Sequence, residues 1–157
     1  MDIRIANIKD IEKILSLENQ MFELHLKERP DWFKNTLDYN KNYDIIKNII
    51  GNNNEEIFIA EDNNILIGLC IITIHNINNH HVFHDMKVIE IEDLIVDIQY
   101  RKKDIGKKLF EKIKIYAKEI NAKFIELSTW EFNKNAKEFY EHLGMKTKMV
   151  KMEIRVE

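Results

Sequence analysis

Between Val88 and Ser128 the hydrophobic pattern changes period twice. Val88–Asp97 is apolar on both faces over much of its length, and Lys123–Ser128 reads as another strand. Between them Ile105, Leu109, Ile113, Tyr116, Ala117 and Ile120 mark one face of a helix. A strand, a helix and a strand in that order favour a right-handed crossover and a parallel pair. A strand without a polar face must be covered on both sides. The chain is thereby held to a sheet with helices packed on its two faces.

The flanking segments add antiparallel strands. Asp2–Ala6 alternates, with Ile3 and Ile5 on one face. A helix comes next through Ile8, Ile11, Ile14, Leu15 and Glu18–Phe22, and the only proline, Pro30, ends it. A second amphipathic stretch carries Ile45, Ile46, Ile49 and Ile50 and stops at Gly51. Ile57–Glu61 and Ile65–His75, separated by Asp62-Asn63-Asn64, read as a hairpin. Asn76–Asp85 is polar and loop-like. Ala136, Phe139, Tyr140 and Leu143 predict a last helix, capped by Asn133 and closed at Gly144, and Met149–Val156 predicts a final strand. The fold class is α/β of the α+β type, a mixed, mostly antiparallel sheet flanked by helices. With no repeat or linker, residues 1–157 form one domain.

Composition narrows the function. The 157 residues are 45% hydrophobic, enough for a core, and the formal net charge of −3 argues against a broad grip on nucleic acid. The longest apolar run, Ile65–Ile74, is far short of the ~20 residues needed to cross a bilayer. Met1–Asp10 lacks an apolar core of signal-peptide length, so a cytoplasmic location is expected. A single cysteine, Cys70, excludes an internal disulfide and a thiolate zinc cluster. His75, His80, His81 and His84 crowd into one loop and its edges, but their irregular spacing does not support zinc, and no metal is expected. The abundance of Ile, Asn and Lys is what an AT-rich coding sequence produces, so Asn52–Asn54 is read only as a solvated loop.

The densest positive patch is Tyr100-Arg101-Lys102-Lys103-Asp104-Ile105-Gly106-Lys107-Lys108, between a buried strand and a helix amino terminus. Unpaired backbone N–H groups and the helix dipole favour an anion there. Gly106 is expected to let a ligand approach the backbone closely. The alternative is a solvated basic loop with Asp104 as an ordinary helix cap.

Arg101-x-x-Asp104-x-Gly106, coming after Glu92-Asp93-Leu94-Ile95-Val96, resembles the acetyl-CoA-binding signature of the GNAT superfamily of N-acetyltransferases. That signature is Gln/Arg-x-x-Gly-x-Gly/Ala, and here Asp104 stands in place of its first glycine. Asn133-x-x-Ala136-x-x-Phe139-Tyr140-Glu141-x-Leu143-Gly144-Met145 is similar to the family's closing segment at the family's distance. The resemblance covers nearly the whole chain. It implies transfer of the acetyl group of acetyl-CoA to a primary amine by direct attack. It places CoA against Leu94, Ile95, Val96, Arg101, Lys102, Lys103, Asp104, Ile105, Gly106, Lys107, Asn133 and Tyr140. A strand bulge near Ile95–Val96 would open a gap toward Lys123–Ser128 for the pantetheine arm.

The chemistry sets three demands. An amine near pKa ~10.4 is protonated at neutral pH and must lose a proton before attacking. The acyl oxygen needs a hydrogen-bond donor as charge builds on it, and the departing thiolate benefits from an acid. The resemblance assigns the base to Glu92, with Asp93 on the opposite face of a regular strand and on the same side of a bulged one. It assigns the acid to Tyr140, whose alternative is a core aromatic beside Phe139. Asn133 can serve as helix cap, as CoA contact, or as both. Glu28, Asp31, Trp32 and Trp130 are expected to contact the acceptor, with surface-loop anchoring as the alternative for the first three and sealing of the core for Trp130. Cys70 is a core residue, and the resemblance allows a homodimer, common in the family, while the sequence leaves the oligomeric state open. The competing class is a GNAT-fold module that binds CoA weakly or a partner protein without catalysis.

Overall fold

In a computed structural model, residues 1–156 are described, and five strands form one sheet in the order β1-β2-β3-β4-β5. The strands are β1 (Asp2–Ile5), β2 (Glu55–Asp62), β3 (Ile65–Ile77), β4 (Met86–Val96) and β5 (Ala122–Leu127). The helices are α1 (Ile11–Glu28), α2 (Tyr39–Ile50), α3 (Ile105–Glu119) and α4 (Lys134–His142). The first four strands pair antiparallel, whereas β4 and β5 are parallel. The crossover expected from the change of period is therefore present, and its helix is α3. Between β2 and β3, Asn63 and Asn64 both take positive φ, 48° and 64°, as a two-residue hairpin turn requires.

Alternation along the strands builds two cores. Phe58 and Ala60 of β2, Cys70 and Ile72 of β3, and Ile89 and Ile91 of β4 pack with Leu109, Phe110 and Ile113 of α3. On the other face Ile57, Ile59, Leu69, Ile71 and Ile95 pack with Ile11, Ile14 and Leu17 of α1 and Ile46 of α2. The start of α1 is fixed by charge: both terminal guanidinium nitrogens of Arg4 donate to Asp10, at 2.8 and 2.9 Å. Hydrogen bonding from Arg4 holds the Asp10 carboxyl below the usual carboxylate range against the cost of its burial. α1 ends at Glu28, just before Pro30, and α2 gives way to Gly51.

The expected final strand is absent among the described residues. Met149–Val156 pairs with no strand, and Val150, Met152, Ile154 and Val156 are 74–88% exposed. The segment is instead tied by charge: Arg29 donates to Glu153 at 2.6 Å and Arg155 to Asp31 at 3.2 Å. Among the described residues β5 thus has β4 as its sole sheet neighbour. Alternation qualified the segment for a sheet, but ion pairs draw it toward the end of α1.

Candidate active site

β4 carries one residue more than its partner strand. Ile71 pairs with Asp93 and Ile72 with Ile91, so Glu92 is the extra residue of a β-bulge. The consequence is visible in the cores. Before the bulge, odd-numbered Ile89 and Ile91 face α3; after it, odd-numbered Ile95 faces α1 and even-numbered Leu94 packs toward α3. Asp93 is carried to the α1 side with Ile95. The bulge lies at Glu92, earlier than the expected Ile95–Val96, and it brings Glu92 and Asp93 to the same cavity.

Beyond the bulge β4 and β5 part. Their parallel register runs from Lys87 opposite Ala122 to Ile91 opposite Leu127, and stops there. Glu92–Val96 keep β3 on one side and have no strand on the other. Alternate N–H groups of this stretch face the opening, as in any strand paired along one edge. The opening leads into a cavity of about 470 Å³. Glu18, Met21, Phe22 and His25 of α1, Ile45 and Ile46 of α2, and Phe33 line one side. Glu92, Asp93, Leu94, Ser128, Thr129, Trp130, Asn133 and Tyr140 line the other.

Two carboxyls dominate the electrostatics of this cavity. Burial, aided by the charge of Asp93, pushes Glu18 up to about 8. Burial and the charge of Glu92 push Asp93 up to about 6, although His25 pulls it down. Burial first, then the charge of Asp93, raises the Tyr140 phenol, so it holds its proton at neutral pH. Burial raises the Cys70 thiol as well, which keeps it un-ionised in the core. Tyr140 packs edge-on against Phe139, with ring centroids 5.1 Å apart.

At the far end of the opening, α3 begins without a side-chain cap. Asp104 adopts φ 59°, ψ 11°, the left-handed conformation that favours glycine, and its carboxylate makes no capping bond. The residue standing in place of the motif glycine therefore keeps a glycine-like backbone. Arg101, Lys102, Lys103, Lys107 and Lys108 are exposed around this turn. The Arg101 guanidinium donates to the Val96 carbonyl at 3.2 Å, and Gln20 of α1 donates to Asp97 at 3.0 Å, fixing the loop that leaves β4. Gly106 is buried, and a Cβ there would meet Phe139 Cζ at 3.1 Å. Its small size serves packing of α3 on α4.

The other expected residues divide. The Asn133 side chain accepts from the Ala136 N–H at 3.2 Å and also borders the cavity, so cap and lining coincide. Trp130 lines the cavity and meets Trp32 edge-on at 5.9 Å. Trp32 lies outside the lining at 62% exposure. Glu28 is exposed, and Asp31 is engaged by Arg29 at 2.9 Å as well as by Arg155. Hydrogen bonding from Arg29 holds Asp31 down at about 2. Outside the cavity His75 bonds Glu90 at 2.8 Å, and with Glu92 they bring one ligand atom each within 4.8 Å of one another. The sequence pattern does not single out Glu18, Ser128 or Thr129. For Glu18 a signal exists, because it occupies the apolar stripe of Ile11, Ile14 and Met21.

A bulged strand parts from its parallel neighbour, and a basic helix start and a carboxyl-lined cavity lie along the opening. The sequence profile of the Acetyltransferase (GNAT) family matches residues 16–145. The chain belongs to that family, and transfer of acetyl from acetyl-CoA is the activity this membership gives it. A tetramutant of the BH1408 protein from Bacillus halodurans is 29% identical over 99% of this chain and 100% of its own, with a TM-score of 0.92. The aminoglycoside N-acetyltransferase AAC(6')-Iy, solved with CoA, is 17% identical over 99% and 93%, with a TM-score of 0.79. An aminoglycoside acetyltransferase from an uncultured soil metagenomic sample, solved with trehalose, is 19% identical over 99% and 96%, with a TM-score of 0.73. No curated protein matches the sequence.

The buried carboxyl of Glu18 makes stability depend on pH in a definite direction. Its folded pKa of about 8 lies above its ordinary value of 4.5, so the folded state binds the extra proton. Stability is therefore highest below the ordinary value and falls as pH rises toward the folded one. Glu18→Gln, which cannot ionise, should be more stable than the parent by a few kcal/mol, to order of magnitude, above about pH 8. That advantage should shrink toward about pH 4.5, which urea unfolding across this pH range measures.

Proposed function

We propose that the protein acetylates a primary amine by direct transfer from acetyl-CoA, with no covalent enzyme intermediate. The observation that carries this reading is the parting of β4 from β5 at Ile91, which opens onto the cavity holding Glu92, Asp93 and Tyr140. The residues suit a CoA group: exposed basic side chains surround a helix start whose cap residue leaves its amides free of a side-chain acceptor. Arg101, Lys102, Lys103, Asp104, Ile105, Gly106 and Lys107 would hold the diphosphate, with Asp104 contributing backbone only. Leu94, Ile95 and Val96 would hold the pantetheine arm, and Asn133 would border it. Bound there, acetyl-CoA supplies an activated acyl group.

The chain's own residues handle the protons. Glu92, at the water-accessible side of the bulge, takes the proton from the incoming ammonium. Asp93 is a second candidate for this role, favoured by its burial and by its influence on Tyr140. Backbone N–H groups of Leu94–Val96 meet the charge that develops on the acyl oxygen. Tyr140 gives its proton to the departing thiolate. Trp130 forms a wall for the acceptor, Trp32 extends that wall outward, and Glu28 and Asp31 stand at the outer rim.

A cytoplasmic location and a homodimer complete the proposal. The first is supported by the fact that, among the described residues, no helix is long and apolar enough to cross a membrane. The dimer is supported by the exposed apolar row Val150, Met152, Ile154 and Val156, a segment ready to pair with another strand. Sedimentation equilibrium should give twice the mass of one chain, and a monomer at micromolar concentration would contradict the dimer.

Tyr140→Phe tests the mechanism. With the hydroxyl removed, turnover at saturating amine should fall by about 10²-fold, while affinity for CoA stays within twofold. Release of free thiol from acetyl-CoA across an amine panel reads the first, and titration calorimetry with CoA reads the second. Undiminished turnover would remove Tyr140 from the reaction.

A further inference from the structure

Three side chains able to ligate a metal meet where β3 and β4 pair. Ile89 and Ile91 face α3, so Glu90 between them faces the other side of the sheet, as does His75, in step with Leu69 and Ile71. Thr73 pairs with Glu90 and His75 with Val88, which sets His75 diagonally across from Glu90. His75 Nε2 and Glu90 Oε2 are 2.8 Å apart. Glu92, the bulge residue, adds a second carboxylate, and one ligand atom from each of the three lies within 4.8 Å of the others. We propose that His75, Glu90 and Glu92 bind one divalent first-row transition-metal ion, and that the bound ion withholds Glu92 from the reacting amine. Binding of the ion is independent of the acetyltransferase reading; its effect on Glu92 rests on that reading and gives the site a regulator.

The donor set decides the class of ion. An imidazole nitrogen suits zinc and its neighbours, whereas magnesium and calcium take oxygen ligands. Three protein ligands leave a fourth tetrahedral position for water. Ligand atoms about 2.0–2.2 Å from zinc lie roughly 3.3 Å from one another, so the His75–Glu90 pair opens slightly and Glu92 closes in. Side-chain rotation supplies both movements, because His75 and Glu92 are exposed and Glu90 is half-buried. The ion takes the place of the proton between Nε2 and Glu90, and the ring then carries its proton on Nδ1.

Charge points the same way. Among the described residues neither Glu90 nor Glu92 pairs with a lysine or arginine, and Glu126, opposite Glu90 on β5, is engaged by Lys148. Carboxylates held close on a paired strand repel, and a divalent cation offsets both. His80 and His81 stack on each other in the loop beyond the strands, and with His84 they stay outside the cluster. Histidine spacing along the chain does not show the site, because its ligands come together through strand pairing. Glu92 also lines the cavity, so the cluster meets the site at its proton-accepting residue. A carboxylate oxygen bonded to a dication is a poorer acceptor for an ammonium proton, and a filled site therefore slows transfer.

Titration calorimetry of the full chain with zinc sulfate and with magnesium chloride tests the site. One zinc per chain is expected, bound about tenfold or more tightly than magnesium. His75→Ala, Glu90→Gln and Glu92→Gln should each weaken zinc by about tenfold or more, whereas His80→Ala should bind as the parent does. His75 and Glu90 handle no proton in the reaction, so their two variants should keep the metal-free turnover of the parent. Zinc should lower turnover in the parent, with its midpoint at the dissociation constant from calorimetry, and His75→Ala should escape. Product is read as acetylated amine, because the CoA thiol itself binds zinc. Equal binding of zinc and magnesium, which an acidic patch would give, overturns the site, and so does zinc binding unchanged in His75→Ala and Glu90→Gln. Full turnover with zinc bound overturns the withholding of Glu92 and leaves proton removal to Asp93. Failure of the enzyme reading shows instead as absent product without zinc, while calorimetry still decides the metal site.

Discussion

An extra residue in a paired strand cannot be absorbed without rotating the rest of that strand about its axis, and in this protein that residue is Glu92. The rotation exchanges the two faces of β4. Leu94 goes to the α3 core, Ile95 to the α1 core, and Asp93 toward α1 and the cavity. Without it Asp93 would share the α3 face with Ile89 and Ile91, among side chains that offer a charge nothing. The two hydrophobic cores hold the bulge in place, because a one-residue slip would exchange the faces of Leu94 and Ile95 and turn Asp93 into the apolar core under α3.

The same feature governs the parting of the parallel strands. β5 accompanies β4 only as far as Ile91, the last residue before the bulge. Beyond that point β4 is still supported by β3, so its free edge stays extended and presents main-chain groups to the opening. α3 starts at the end of this edge, with Asp104 in a left-handed conformation and lysines around it. Edge, helix start and cavity lie in sequence along one path.

The range of each interaction decides how much of the fold and site is legible in the sequence. The β4–α3–β5 crossover shows in the spacing of Ile105, Leu109 and Ile113, because helical and strand periods differ locally. The hairpin turn shows in Asn63-Asn64, whose residue type suits positive φ. The tail misleads: Val150, Met152, Ile154 and Val156 alternate as a strand would, yet a strand needs a neighbour, and ion pairs to Arg29 and Asp31 hold the segment elsewhere. The packing role of Gly106 is not legible either, since its nearest neighbour, Phe139, lies on another helix. Of the site, the Glu92–Asp93 step, Tyr140 and Asn133 come from motif likeness and Trp130 from its place after a strand end, and all of them line one cavity. Glu18 comes from no motif, although a glutamate on an otherwise apolar helical stripe is a local sign of a buried charge. Which face Asp93 takes depends on a bulge, and a bulge is set by pairing with β3, which no local pattern encodes.

Amide hydrogen exchange measured with and without CoA bears most directly on the claim that the cofactor lies along the free edge of β4 and over the start of α3. Slowed exchange at residues 92–96 and 104–107, with β1 and β2 unchanged, is the result the structure leads one to expect. Exchange left unaltered at both segments while CoA is demonstrably bound would contradict it.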